Sequence, residues 1–511
     1  MNSPVIIIGA GLAGLAAGVY GQINGYQTRI FEQHTRPGGV CTAWKRKGYT
    51  IDGCIHWLMG AKPGQPFHRL YSEVGALERG RLIPIDHLSR AVDKASGQQI
   101  DWVADLDRMA EAMKTLSPQD GTVVDALIAD VRALRGFPMD AGKPVDLFGP
   151  LDRLKQMWRY RRWLRLLGRY CMSMTEFARR FQHPFLRWAL THLFVSDMPA
   201  LFGLILLAQL ADGELALFEG GSLQFALNIA NRYTSLGGEI SYGIPVQEII
   251  VESHCAVGVR LADGTIHRAG RVISAADGRS TLFDMLGGRY LSREIEDRYA
   301  TWRLFSPILM ISFGLDGVFP NQVQENMVRL TSPLEIGGMT VEGLLYRVFR
   351  DPALAPAGKT VVQAMIDADF DFWHGLHQDV PRYEAEKARA ADQVLAQLEH
   401  HLPGIDSRVE MTDVATPHTF WRYTCNHRGA FEGWLMSADQ MNRPFPKTLP
   451  GLDGFFMAGQ WVEPGGGVPT VLCSGRQAIQ LLCHREKRLF HTDQECAEKL
   501  RFATKNTEIH R

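Results

Sequence analysis

The chain has 511 residues, which at about 150 residues per domain points to roughly three structural units and not to one core. Apolar residues make up 46% and charged residues 22%, a globular balance that excludes a disordered or fibrous chain. The 55 basic residues cancel the 55 acidic ones, so the surplus of a general nucleic-acid binder is missing and no nucleic-acid partner is expected. Eight cysteines occur without a CxxC or Cys/His cluster, so no metal site is expected and a reducing, cytoplasmic setting is. Glycine is in mild excess, 50 of 511 against a typical ~7%, and its placement carries the argument.

The segment Val5–Tyr20 is apolar, but no Lys or Arg precedes it and the first basic residue is Arg29. It reads as the start of a fold and not as an export signal. Val5-Ile6-Ile7-Ile8 is a buried-strand run, and Gly9-Ala10-Gly11-Leu12-Ala13-Gly14 is a GxGxxG. A helix is predicted over Leu15–Asn24, a turn at Gly25, and a second strand from Thr28 that ends at Glu32. Strand, glycine turn, helix, strand and terminal acid together form a dinucleotide-binding βαβ unit. Its glycines let the backbone approach a pyrophosphate, the helix start favours negative charge, and Glu32 accepts from ribose hydroxyls. An acid at that position favours FAD or NAD over NADP. Glu32-Gln33-His34-Thr35-Arg36-Pro37-Gly38-Gly39 then resembles the E-x(5)-GG extension of flavoproteins in the glutathione-reductase-like superfamily, which favours FAD.

Gly48-Tyr49-Thr50-Ile51-Asp52-Gly53-Cys54-Ile55-His56-Trp57 resembles a stretch of the phytoene desaturase family, nearest its retinol saturase and carotenoid isomerase branch. Gly220-Gly221-Ser222-Leu223 is similar to that family's second helix entry, and Gly243–Ile249 to its strand beside the adenine. A hairpin turning at Asp263-Gly264 follows. Near the end, Phe455–Ala458 reads as a strand, Gly459-Gln460 as its exit, and Gly465-Gly466-Gly467-Val468 as a loop feeding a helix from Val471. This looks like the family's closing flavin motif. The resemblance implies a discontinuous, Rossmann-type α/β FAD domain of the glutathione-reductase-like class over residues 1–80, 215–290 and 405–480. An α+β substrate domain is then expected from 81–214 and 291–404, and a polar tail from 481–511.

The cofactor-binding residues implied are Gly9, Gly11, Gly14, Glu32, Gln33, Arg36, Gly38, Gly39, Val246, Gly459, Gln460, Gly467 and Val468. His56 is the catalytic candidate, because a histidine of near-neutral pKa beside a flavin can move protons. Its alternative is a structural histidine bonded to backbone. Arg428, His427 and Glu463 are weaker candidates, with Glu463 read as a helix-entry cap.

Within the first insert, Arg153–Arg187 holds ten basic residues against one acid, interleaved with Trp, Tyr and Phe. It is predicted to be helical and to touch a membrane surface peripherally, or else to be a solvated basic face. Met198–Ala211 is apolar but short of the ~20 residues that span a bilayer, so a buried or interfacial helix is predicted. In the second insert Phe305–Gly314 and Thr360–Ile366 read as strands, Tyr383–Leu402 as a helix, and Asp367–His377 as a loop. The resemblance implies an apolar polyene or isoprenoid-like substrate that is desaturated, saturated or isomerised at C=C bonds. No second complete GxGxxG is present, so the electron partner is expected to be external: quinone, oxygen or a reductant. The alternatives are a flavin amine oxidase, for which Trp421 and Trp461 leave room, and a non-redox FAD-binding prenyl carrier.

Overall fold

The computed structural model describes residues 4–139, 142–441, 443 and 445–493. Strand Val5–Ile8 lies at the centre of a five-stranded parallel sheet, between Arg271–Ser274 and Thr28–Glu32. Phe455–Met457 and Glu239–Tyr242 form its edges. All four residues of the central strand are buried, as an all-apolar parallel strand covered on both faces requires. Helix Leu12–Ile23 starts three residues earlier than predicted, with Gly14 inside its first turn. It packs against the C-terminal helix Val468–Arg485, where a Cβ at Gly475 would overlap the Ala13 carbonyl.

Val246–Glu252, Cys255–Leu261 and Ile266–Arg268 form a small antiparallel sheet, with the predicted Asp263-Gly264 turn between its last two strands. A seven-stranded sheet carries Val409–Ala415, Ile308–Asp316, Lys359–Asp367, Met339–Val348, Glu325–Ile336, His87–Asp93 and Gln99–Val103, in that order. Its pairs are antiparallel apart from Glu325–Ile336 with His87–Asp93. Val409–Ala415 was expected with the cofactor-binding segments. It pairs instead with Ile308–Asp316, so the boundary expected at 405 falls beyond this strand.

The basic aromatic stretch is four short helices: Pro150–Tyr160, Leu164–Arg169, Met174–Ala178 and Pro184–Thr191. Most of its rings are core. Trp163, Tyr170, Phe177, Phe181 and Phe185 are buried, and only Trp158 is strongly exposed, at 67%. The apolar helix Ala200–Ala211 is buried as well. Asp367–His377 is not a loop: Asp367 ends a strand, and Asp369 caps helix Phe370–Leu376 by accepting from the Phe372 amide at 2.6 Å. Among the described residues no helix is long and apolar enough to cross a membrane. Of the polar tail expected over 481–511, residues 481–485 instead complete helix Val468–Arg485, with Leu482 and Cys483 packed into the core, and the part beyond Asp493 lies outside the described residues.

Candidate cofactor and substrate site

A cavity of about 1330 Å³ opens at the carboxyl ends of the parallel strands, where Ile8, Glu32, Ala275 and Gly459 all line it. This is where open α/β sheets bind nucleotides. Gly9 has φ +95°, a left-handed value that lets the chain leave the strand and turn into the helix. A Cβ on Gly11 would meet nothing within 4 Å, so this residue faces open space. A Cβ on Gly14 would overlap the Gly9 carbonyl, so Gly14 packs the helix against the turn and does not itself line the cavity. Gly38 donates to the Ala10 carbonyl at 2.9 Å and so brings the Gly38-Gly39 turn over Gly11.

Glu32 closes the second strand. Its carboxylate accepts from the Ala10 amide at 2.6 Å and the His34 amide at 2.8 Å. Burial pushes its pKa up, against the lowering effect of those amides. Gln33 lines the cavity and donates to the Tyr423 carbonyl at 3.1 Å. Arg36 does not line it: the guanidinium turns to the Ala43 carbonyl at 2.8 Å and ties the turn to hairpin Ala43–Asp52. Val246 lines the cavity from the small sheet.

The closing motif lines the same cavity through Gly459, Gln460, Gly467 and Val468. The helix after it starts at Val468, three residues before the predicted Val471. No side chain caps its amino end, so its first amides and positive dipole are left facing outward. Glu463 is not a helix cap. It pairs with the buried Lys447 at 2.6 Å, and Lys447 also reaches Asp146 at 3.3 Å.

His56 lines the cavity, with Nδ1 2.8 Å from Glu325 Oε2. Arg347 Nε lies 3.9 Å from the same oxygen, and Arg347 Nη2 donates to the Ile55 carbonyl at 2.9 Å. Burial and the Arg347 charge pull the His56 pKa down, while Glu325 pushes it back up. Sequence reading missed Glu325 and Arg347, which come from separate strands far along the chain. It also missed two carboxyls in the cavity lining, Asp277 and Glu432. Burial raises Asp277 to about 6 and Glu432 to about 7. Only a pocket in three dimensions marks them. Arg428 pairs with Asp371, and the His427 amide donates to Asp277 at 2.8 Å. No group of three or more His, Cys, Asp or Glu side chains able to hold a metal occurs among the described residues.

The glycine turn open at Gly11, the buried acid ending the second strand and the uncapped helix start share one cavity. That donor set fits FAD. The class of protein so defined is an α/β flavoprotein of the glutathione-reductase-like fold. The chain belongs to the flavin-containing amine oxidoreductase family, which matches residues 12–483. It is an FAD-dependent oxidoreductase.

Among curated relatives it is 24% identical to the chloroplastic prolycopene isomerase of Arabidopsis thaliana, over 92% of this chain and 81% of that one. It is 24% identical to the lycopene-forming phytoene desaturase of a Paracoccus species, over 93% and 96% of the two chains. A solved oxidoreductase from Methanosarcina mazei has a TM-score of 0.61 at 19% identity, over 93% of this chain and 100% of that one. Putrescine oxidase bound to putrescine has a TM-score of 0.59 at 14% identity, over 94% and 99%. At such identities these structures speak for the fold alone.

Proposed function

We propose that this protein adds, removes or rearranges hydrogen at carbon–carbon double bonds of an extended apolar, polyene or isoprenoid-like substrate. The observation that carries the reading is the continuity of the cavity. The glycine-lined cradle runs into a region walled by Met327, Leu345 and Met365 of the large sheet and by Phe194, Met198 and Phe202. The named relatives are a prolycopene isomerase and phytoene desaturases, which favours the polyene over an amine or a carried prenyl group.

When bound, FAD supplies hydride exchange. The chain supplies position and proton control. Gly9, Gly11, Gly38 and Gly39 give the pyrophosphate close backbone approach, Glu32 and Gln33 take the ribose side, and Val246 takes the adenine side. Gly14 and Arg36 support that cradle from behind. Gly459, Gln460, Gly467 and Val468 take the ring side, where the uncapped helix start favours negative charge. His56 holds or accepts the substrate proton. An external quinone, oxygen or reductant balances the electrons.

The apolar substrate is drawn from a membrane surface. Leu151, Leu154, Met157 and Trp158 stand exposed on helix Pro150–Tyr160, beside Arg153, Lys155 and Arg159. An apolar face edged by cations suits a lipid interface.

The visible spectrum of the purified protein, followed by anaerobic photoreduction, tests the flavin. Incubation with carotenoid or retinoid precursors then gives a product lighter by two daltons, heavier by two, or equal in mass. Amine-dependent peroxide release with no polyene conversion would overturn the reading.

A further inference from the structure

One row of polar side chains crosses the large sheet. Asp413, Ser312, Gln363, Arg347 and Glu325 stand opposite one another on five successive strands. Two residues along each strand, the row on the same face is apolar: Met310, Met365, Leu345 and Met327. The polar row is almost wholly buried, with Ser312 and Gln363 at 0% exposure and Arg347 at 3%. Burying such groups is costly unless they are satisfied.

The hydrogen bonds they make run largely to the hairpin and segment that lead to His56. Asp413 accepts from Trp44 Nε1 at 2.9 Å. Gln363 donates to the Asp52 carbonyl at 2.9 Å, and Arg347 to the Ile55 carbonyl at 2.9 Å. Glu325 takes His56 Nδ1. The Asp52 carboxylate is held in turn by the Ser222 amide and hydroxyl, each at 2.6 Å. The segment from Asp52 to Ile55 is therefore held by both the sheet and Ser222, and His56 at its end by Glu325.

We propose that Glu325, backed by Arg347, is a positioning pair that fixes the His56 ring and its tautomer, so that Nε2 is the nitrogen presented to the substrate. The proposal rests on the role given to His56 above. A carboxylate only accepts, so the ring nitrogen facing it carries the hydrogen. Nδ1 is then the donor and Nε2 keeps its lone pair. Arg347 is the counter-charge of Glu325. Its Nε and Nη1 have no hydrogen-bond partner among the described residues, so its charge is met chiefly by this carboxylate. The charged groups around His56 are Glu325 and Arg347 from the sheet and Asp52 from its own segment.

The test is a ¹⁵N-histidine NMR titration of the FAD-loaded protein, with the His56 signal identified by its loss in His56→Gln. The neutral wild-type ring is expected as the Nδ1–H tautomer. Glu325→Gln is expected to lower the His56 pKa, and Arg347→Gln to raise it, each changing the ionisation constant about ten-fold. A role in folding alone would not move the two variants in opposite directions. An Nε2–H tautomer in the wild type, or variants that leave the His56 pKa where it was, would overturn the proposal. The wild-type tautomer decides the matter even if a variant fails to fold. Full turnover by His56→Gln would instead overturn the role of His56, and that result is read separately from the tautomer.

Discussion

The Ala10 amide donates to the Glu32 carboxylate at 2.6 Å, so the first glycine turn and the acid ending the second strand are joined within the polypeptide itself. Glu32→Ala leaves this amide and that of His34 without their acceptor, a loss of about 1–3 kcal/mol. FAD affinity is expected to fall at least ten-fold, with Glu32→Gln between the variant and the wild type. Titration of apoprotein with FAD, followed by flavin fluorescence, checks this.

Gly11 and Gly14 separate binding from folding. A side chain at Gly11 enters open cavity, whereas one at Gly14 strikes the Gly9 carbonyl. Gly11→Val is expected to purify colourless and to melt near the temperature of the wild-type apoprotein. Gly14→Val is expected to lose several degrees of melting temperature as well as the flavin. Circular dichroism melting and absorbance near 450 nm read the two effects.

Leu345 belongs to the apolar row that walls the cavity. Leu345→Trp narrows that region without touching the glycine turns. Flavin content and photoreduction are expected to stay, while KM for the proposed polyene substrate rises at least ten-fold in steady-state kinetics.

Glu432 gives a stability signal with a defined sign. Burial raises its pKa to about 7 from an ordinary 4.5. The folded state therefore holds a proton that the unfolded state has released, and this contribution is present below pH 4.5 and lost as pH rises to 7. Glu432→Gln removes that loss. Its melting temperature is expected to match the wild type near pH 4.5 and exceed it at pH 8, by up to about 3 kcal/mol of stability. Thermal melting across that range, taken as a difference, cancels the other carboxyls.

Leu154 and Trp158 are exposed on one helix beside cations. The double variant Leu154→Ser, Trp158→Ser is expected to lower partition onto anionic liposomes at least ten-fold, since each apolar side chain contributes about 1.5–3 kcal/mol when fully buried. Flotation assays measure it, and flavin content serves as the folding control.

What could be read from the chain alone was contiguous. Val5 to Glu32 is one local unit, and so is Phe455 to Val468, although several of their glycines make room for distant segments: a Cβ on Gly18 would meet Tyr233 and one on Gly466 would meet Glu432. The basic stretch after Arg153 was legible only as composition. As composition its rings suggest a surface, because nothing local says that four short helices, and not one, turn Trp163, Tyr170 and Phe177 inward.

The glycine pattern of the first turn is legible in the chain, because a turn that admits a pyrophosphate needs small residues at fixed local spacing. The setting of His56 is visible only once the chain is folded. Ser312, Gln363, Arg347 and Glu325 come from four strands, and cross-strand register brings them into line beneath Asp52 and Ile55. Register is set by pairing between distant segments, and a shift of one residue would turn each of these side chains to the other face.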